Sequence, residues 1–582
     1  MNLFRHLIRP FVAMIVLAMT ACGGGGGGNG SEAISSGLLR LSVSAQAIKT
    51  LAFQWDAVPE ATHYRLLEDI DGPEGPQGET LLQELLAGQS SHVQQEVFLP
   101  ERVNARYRLQ ACHGNDCVSS AAVGIEQINR GIGYFKASNT AAGDEFGEGL
   151  ALSADGQVLA VGAYLEDGLN EGIDSTPNRG VADANVGAVY VFRRGATGWL
   201  QEAYIKPVHA QPGASFGYRV ALSGDGSVLL VGAPGDSSGG SGLAADPQAG
   251  PPVTNSGAVH VFGRDVNGQW AQVTYLKAEA PAAEARFGKS LSLSHDGTRA
   301  AVGHPDGAGG GRASLYRRLL DGWEFQQVVQ GSNTEGGDAF GEVLQLDAEG
   351  ETLVVGAWGE DGSTDTAGTD NGASASGAVY VFRRNAGSDL WDEVAYLKAP
   401  ERRTNGYFGY PVTLSAQGET IVVGEPGDVT SDSPTVGRVH VFRRHGEAWV
   451  GEAAFLSSPQ PQATGAYGEK LALSADGLTL AISNPWEGSN GLGLGSVPAF
   501  DGLTPASGTV YLYRRDLGGA WSAPVTMKAP NSNSKIYFGW SLALSANGKT
   551  LAAYASDHSS STGIGVDMTD QSAYWAGAVT LY

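Results

Sequence analysis

FGEGLALSADGQVLAVGAY, residues 146–164, opens on Phe-Gly, continues through two short apolar segments around Asp155-Gly156, and closes on Gly162-Ala163. Variants of this pattern occur seven times along the chain, about 65 residues apart. A period of this length built from strands predicts stacked or radial β-units that bury their faces against one another. The openings are Phe146-Gly147, Phe216-Gly217, Phe287-Gly288, Phe340-Gly341, Phe408-Gly409, Tyr467-Gly468 and Phe538-Gly539.

Each repeat has room for four strands. In the first repeat, the segments 146–153 and 158–163 flank an Asp-Gly hairpin turn, whose residues supply the positive φ angles that such turns need. The segments 187–192 and 199–205 supply the third and fourth strands. Four antiparallel strands form one propeller blade. We therefore expect an all-β protein with a seven-bladed β-propeller over residues 132–582.

The last repeat lacks a fourth strand of its own. Earlier repeats end on strands such as Tyr204-Ile205-Lys206, whereas the seventh stops at Tyr582. A similar segment, Tyr134-Phe135-Lys136-Ala137, precedes the first repeat. We expect this N-terminal strand to complete the last blade, because a ring closed in this way has no free sheet edge.

The Phe-Gly opening, with Gly232-Ala233-Pro234 after the second strand, resembles the FG-GAP repeats of integrin α-subunits and many bacterial surface proteins. The resemblance implies a seven-bladed propeller and a binding or adhesion role. It does not extend to the calcium loop of integrins, Asp-x-Asp-x-Asp-Gly, because turns such as Asp155-Gly156 offer one carboxylate where calcium needs several oxygen ligands. We therefore assign no metal residues and no cofactor, and calcium binding stays an open alternative.

A second acidic series follows the second strand of each repeat. Strand parity places it on the face of the ring that carries the longest loops, opposite to Arg pairs such as Arg193-Arg194. These carboxylates either cap loop backbone amides or form an acidic face for a cation or a basic partner. The series is Asp167, Asp236, Asp306, Asp361, Asp428, Glu487 and Asp557.

The N-terminus is typical of a secretion signal. Arg5 and Arg9 accompany an apolar stretch, and the segment 17–22 resembles the lipobox of bacterial lipoproteins, in which the Cys is lipidated. The resemblance implies a signal peptide over residues 1–22, lipidation at Cys22 and an outer-membrane lipoprotein, periplasmic or surface-exposed. The Gly-rich residues 23–37 are predicted to be a flexible tether.

Residues 38–127 contain strand-like segments without the long repeat. Trp55 before a Pro-containing turn and Tyr64 after it resemble a fibronectin type III domain, which implies a β-sandwich with both rings in its core and a spacer or contact role. Cys112 and Cys117 flank a turn, and in an exported protein this spacing predicts a disulfide. A metal site would need more ligands.

Composition and motifs limit the function. The chain has 582 residues, 84 of them Gly, and a net charge of -24, which argues against nucleic-acid binding because phosphates need clustered Lys and Arg. We identify no nucleophile elbow at a strand-to-helix turn and no His-Glu-x-x-His metal motif, so we predict no catalytic residues. We expect a monomeric adhesion or binding module, attached to the membrane only through its lipid, whose loop face contacts a protein or glycan. The alternative is an envelope polysaccharide hydrolase or lyase with a site on the same face.

Overall fold

The computed structural model describes residues 39–582 except 178–179, 308, 365–370, 428–435, 453–455, 461–465, 496–503 and 517. The predicted signal peptide, Cys22, the predicted tether and Asp428 lie outside the described residues. Within the described part, helices of the length and apolarity that a bilayer crossing requires are absent.

The N-terminal module, residues 39–126, consists of two antiparallel sheets. Its strands are β1 Leu41–Ala47, β2 Thr50–Trp55, β3 His63–Asp69, β4 Thr80–Leu86, β5 Ser91–Gln94, β6 Arg106–His113 and β7 Asp116–Ser119, with one short 3-10 helix at Leu99–Arg102 and another just beyond the module at Ile128–Gly131. The strand orders are β1-β2-β5 and β4-β3-β6-β7. Trp55 and Tyr64 are buried with their ring centroids 5.6 Å apart, and a disulfide joins Cys112 to Cys117 across β6 and β7.

In the described residues, antiparallel sheets of four strands, and in one case five, follow this module and form a β-propeller. We number the sheets by repeat. After β8 Gly133–Phe135, sheet 1 comprises β9 Phe146–Leu152, β10 Val158–Ala163, β11 Ala188–Gly195 and β12 Gly198–Ile205; sheet 2 comprises β13 Arg219–Leu222, β14 Val228–Ala233, β15 Ala258–Arg264 and β16 Trp270–Leu276; and sheet 3 comprises β17 Ser290–Leu293, β18 Arg299–His304, β19 Arg312–Leu319 and β20 Gly322–Val329. Sheet 4 comprises β21 Val343–Leu346, β22 Thr352–Ala357, β23 Ala378–Arg384 and β24 Trp391–Leu397; and sheet 5 comprises β25 Val412–Leu414, β26 Thr420–Glu425, β27 Arg438–His445, β28 Ala448–Gly451 and β29 Leu456–Ser457. Sheet 6 comprises β30 Leu471–Leu473, β31 Thr479–Asn484, β32 Thr509–Arg514 and β33 Val525–Met527; and sheet 7 comprises β34 Leu542–Leu544, β35 Leu551–Ala555, β36 Ala578–Leu581 and β8.

The two ends of the repeat region pair with each other. β8 is antiparallel to β36, with Phe135 opposite Val579 and Tyr134 opposite Thr580. The first strand of every sheet contacts the first strand of the next, and β34 contacts β9. The strand pairing expected for the segment around Tyr134 is therefore present.

Backbone hydrogen bonds join the hairpin turns of neighbouring sheets into a closed circle. Each bond runs from the N–H of one turn to the carbonyl of the next, over 2.7 to 3.0 Å. The last donor, Ala546, bonds to the carbonyl of Ala154, where the series begins. The residues in order are Ala154, Gly224, His295, Ala348, Ala416, Ala475 and Ala546.

The repeated glycines lie where neighbouring sheets approach most closely. A Cβ placed on Gly232, at the end of the second strand of sheet 2, would lie 2.1 Å from the carbonyl oxygen of Gly288, in the Phe-Gly of the next repeat. The preceding Phe287 is fully buried between the sheets. The motif therefore combines a buried ring that fills the gap between two sheets with paired glycines that let the backbones meet.

The N-terminal module packs against the propeller rather than standing apart as a spacer. Its core shares an apolar cluster with sheets 6 and 7. Lys49 Nζ donates to the Lys549 carbonyl and, at 2.6 Å, to Thr550 Oγ1, beside the hairpin turn of sheet 7. Glu96 pairs with Arg194 of sheet 1, and Glu101 pairs with Arg514 of sheet 6. These contacts lie on the hairpin-turn side of the ring.

Gly232→Ala is expected to lower the free energy of unfolding by about 2–4 kcal/mol, because its Cβ would press on the backbone of the neighbouring sheet. Gly336→Ala is the matched control, since an added Cβ there meets nothing within 4 Å. Thermal and urea unfolding of the two variants measure the difference. Equal stability of both variants would contradict this account of the motif.

Candidate functional site

In the described residues, three members of the predicted acidic series are buried, two cap loop backbone and one is exposed. Asp236, Glu487 and Asp557 are buried, and each faces a lysine at the end of the fourth strand of its sheet. The Nζ–oxygen distances are 3.0 Å for Lys277–Asp236, 2.9 Å for Lys528–Glu487 and 3.9 Å for Lys136–Asp557.

In sheets 1 and 4 the buried partner is the residue just before the predicted one. Glu166 pairs with Lys206 and Glu360 pairs with Lys398, both at 2.5 Å. The predicted residues cap loop backbone instead: Asp167 accepts from the N–H of Asn185 at 3.0 Å, and Asp361 accepts from the N–H of Ala375 at 2.6 Å.

The lysine and the buried carboxylate occur together. Sheet 3 has Gln330 where these sheets have lysine, and its carboxylate, Asp306, is exposed and contacts Arg286 and Lys289. Lys206 also donates to the Gly187 carbonyl at 2.7 Å, which fastens the long loop to the sheet. The buried acids therefore neutralise lysines that hold the loops, and they support the capping interpretation of the series.

A different set of side chains lies on the same face, where the first strands begin around the central channel that a propeller encloses. It consists of the residue that follows the Phe-Gly or Tyr-Gly in every repeat, where the chain enters the first strand beside the channel. These seven side chains, together with Arg219 and Lys470, are called the mouth residues here. The seven residues that follow the glycine are Glu148, Tyr218, Lys289, Glu342, Tyr410, Glu469 and Trp540.

Ion pairs and cation–ring contacts link the mouth residues. Arg219 pairs with Glu148 at 2.9 Å, and its guanidinium carbon lies 4.7 Å from the centroid of the Tyr218 ring. Lys289 pairs with Glu342 at 2.8 Å.

Lys470 lies among the rings on the other side of the channel. Its Nζ donates to Tyr410 Oη at 3.1 Å, pairs with Glu469 at 3.2 Å and lies 5.6 Å from the centroid of the Trp540 ring. Burial would lower the pKa of Lys470, but Tyr410 and Glu469 raise it above its usual value, so the ammonium stays charged.

A pocket of about 290 Å³ opens beside the channel, between sheets 6, 7 and 1. We call it the aromatic pocket. Two carboxylates, Glu145 and Glu148, are in its wall with one hydroxyl, that of Ser556. The rest of the lining is aromatic: Tyr164, Trp486, Tyr537, Trp540, Tyr554 and Trp575.

Two of the residues that line the pocket have left-handed backbone conformations. Glu145 has a φ of 54° and Trp575 a φ of 56°, and the Glu145 N–H donates to the Trp575 carbonyl at 3.2 Å. The same conformations recur at the equivalent positions of other repeats, such as Ser215 and Asn185, so they are a property of the repeat rather than of this pocket alone. Backbone hydrogen bonds hold both residues in this conformation, and both side chains line the pocket.

Of the two acids that line the pocket, Glu148 has a cation as its partner, whereas the side-chain partners of Glu145 are hydroxyl groups. Its Oε2 accepts from the hydroxyl groups of Tyr554 and, at 3.5 Å, Ser556. Burial, with a further contribution from Glu148, raises the pKa of Glu145 to about 8. The pocket therefore contains one carboxyl that is largely protonated at neutral pH and one carboxylate, Glu148, that is held by Arg219.

One feature of the sequence indicates this site, although the predicted site was based on the acidic series instead. The position after each Phe-Gly is always large and polar or aromatic, whereas the glycine before it does not vary. For metal ions, the described residues offer no cluster of three or more His, Cys, Asp or Glu side chains able to bind one.

Comparison with known proteins agrees with the repeat assignment. The family profile of the FG-GAP repeat matches residues 199–262, from β12 to β15. The repeat match and the sheet topology together support a β-propeller protein with FG-GAP repeats. No curated protein sequence matches the chain significantly.

Solved propeller structures resemble the chain at low scores. The periplasmic gluconolactonase PpgL of Pseudomonas aeruginosa is 18% identical, with a TM-score of 0.36, over 64% of this chain and 88% of that one. The WD40 repeats of RRP9 are 11% identical, with a TM-score of 0.39, over 77% and 96%. Sqt1 of Saccharomyces cerevisiae is 10% identical, with a TM-score of 0.37, over 77% and 97%. Similarities this low carry no information about the activity of this chain.

Lys277→Met is expected to lower the free energy of unfolding by about 3–5 kcal/mol, because it leaves Asp236 buried without its cation. The double variant Lys277→Met/Asp236→Asn should recover most of that loss, since it removes both charges. Urea unfolding of the single and double variants measures the coupling. A double variant no more stable than Lys277→Met would show that the pair is not the source of the effect.

Proposed function

We propose that this protein is an exported, lipid-tethered binding module in which a seven-bladed propeller presents the mouth residues and the aromatic pocket to a protein or glycan. The observation that carries the proposal is the aromatic pocket itself. It is concave, it is lined mainly by rings, and it contains a small number of polar groups that can orient a ligand.

The exposure of the rings supports a binding role. Trp575 is 42% exposed and stacks on Tyr574, which is 53% exposed, with their centroids 4.8 Å apart. Exposed Trp and Tyr clustered at a pocket are the side chains that most often dominate recognition energy. Trp199, Trp270 and Trp391 differ, because they are buried in the sheets.

The position of the N-terminal module fits the same role. We propose that it is a fibronectin-type sandwich that contacts the hairpin-turn side of sheets 1, 6 and 7. Val103 also approaches the long loop of sheet 6 at Gly495, but neither residue lines the aromatic pocket. The lipobox-like Cys22 and the Gly-rich tether support attachment to the outer membrane.

Trp540→Ala and Trp575→Ala are each expected to weaken ligand binding about tenfold or more, as for a central aromatic anchor. The measurement uses the full chain carrying Cys22→Ser on arrays of glycans and of purified envelope proteins, followed by titration of each positive ligand. Trp323→Ala, a half-buried tryptophan on the outer strand of sheet 3, is the control and should keep the parent affinity. The absence of any ligand on the arrays, or equal affinity in all three variants, would contradict the proposal.

The second candidate function is a polysaccharide hydrolase or lyase. One observation favours it: two carboxylates, Glu145 and Glu148, line a single aromatic pocket, and paired carboxyl groups are what glycoside cleavage uses.

In that case Glu148→Gln is expected to lower turnover at least about 100-fold, measured on protein whose unfolding transition shows that it is folded. The assay is release of new reducing or unsaturated ends from envelope-type polysaccharides. Lack of turnover between pH 5 and 9 would remove this candidate.

A further inference from the structure

Glu145 differs from every other carboxylate around the mouth in its surroundings. Glu148, Glu342 and Glu469 each form an ion pair with Arg219, Lys289 or Lys470. In the described residues, Glu145 forms no ion pair, and hydroxyl groups are its side-chain partners. It is thus an acid without a cation, at the edge of a pocket large enough for a small ligand group.

The rings around Glu145 present both faces and edges. Trp486 is T-shaped to Tyr537 and to Trp540, at centroid distances of 5.1 and 6.1 Å, and Tyr537 is T-shaped to Trp540 at 5.8 Å. Rings set at such angles present π-faces in several directions, and a π-face attracts a cation within about 6 Å of its centroid.

The channel beside the pocket already uses this chemistry internally. Lys470 lies 4.6 Å from the Tyr410 ring centroid and 5.6 Å from that of Trp540, with Glu469 as its counter-ion. Trp540 also lines the aromatic pocket. The pocket therefore repeats the environment of Lys470, with rings and a carboxylate, but it lacks the cation.

We propose that the aromatic pocket binds an ammonium group of the ligand, with Glu145 as the counter-ion and the surrounding rings as the cage. The inference rests on the proposed binding function and names its ligand chemistry. A quaternary ammonium, the amine of an amino sugar and a lysine side chain all carry this group.

The electrostatics of the pocket give the proposal a pH signature. The titratable or charged groups that face Glu145 are Glu148, with its partner Arg219, and the hydroxyls of Tyr164 and Tyr554. Burial raises the pKa of Tyr164. Because the pKa of Glu145 is about 8, the carboxyl is mainly protonated at pH 7. A bound cation stabilises the ionised form, so it lowers the pKa of Glu145 and releases a proton on binding. Affinity therefore rises as pH increases from 6 to 9.

The test is calorimetric titration of the full chain carrying Cys22→Ser with choline, whose charge does not change with pH. Its neutral isostere 3,3-dimethylbutan-1-ol is the matched probe. We expect choline to bind at least about tenfold more tightly than the alcohol at pH 8.5, and the preference to shrink at pH 6. Titrations in two buffers of different ionisation enthalpy should show proton release at pH 7. Glucosamine against glucose, and lysine amide against its acetylated form, then identify the source of the ammonium group.

Glu145→Gln should weaken choline binding about tenfold or more and remove both the pH dependence and the proton release. Glu447→Gln is the matched control, because it removes the same charge from an exposed turn on the other side of the ring. Should Glu145→Gln fail to fold, proton release by the parent protein remains a direct measurement.

Two outcomes would overturn the inference: equal affinity for choline and its neutral isostere, or cation binding that keeps its pH profile in Glu145→Gln. Array ligands whose binding depends on Trp540, found together with no cation preference, would leave the binding function in place and remove only the ammonium assignment. Failure of both the arrays and the cation titration would remove the binding function as well.

Discussion

A close approach of backbone between neighbouring sheets is the constraint on which this molecule depends. At Gly162, an added Cβ would lie 1.9 Å from the carbonyl oxygen of Gly217, and the same geometry recurs at Gly303 with Gly341 and at Gly356 with Gly409. Contacts this short tolerate glycine alone. They fix the spacing between sheets near the channel, while the circle of turn hydrogen bonds fixes it at the other face.

The same constraint produces the site. Because the Phe-Gly backbone is held against the neighbouring sheet, the residues on either side of it must face the channel mouth. Several of them adopt left-handed backbone, including Glu145, Arg286 and Tyr537. The fold fixes the backbone at these positions but not the identity of their side chains. The chemistry of the mouth can therefore differ from sheet to sheet without loss of the fold.

Charge is used differently at three depths of the propeller. At the ends of the fourth strands, buried lysines and carboxylates such as Lys277 and Asp236 stabilise loops and are closed to ligands. At the mouth, Arg219 and Lys470 are partly buried and balanced by acids. Glu145 lies between these two situations, since it is partly buried without a cation. The burial of a charge and the presence of its partner thus separate structural acids from the candidate binding residue.

The sequence by itself determined the repeat, its strands and turns, and the pairing of the N-terminal strand with the last sheet, because apolar alternation, Asp-Gly turns and glycine positions are local properties of the chain. Only the tertiary structure decided which carboxylates are buried. In sheet 1 the lysine meets Glu166 and not the adjacent Asp167, a difference set by how the chain leaves the strand. It also decided the aromatic pocket, whose residues are separated by up to several hundred positions and meet only when the ring closes between sheets 7 and 1. Side chains that meet across a closed ring leave no local pattern in the sequence, so the pocket is a property of the tertiary structure alone.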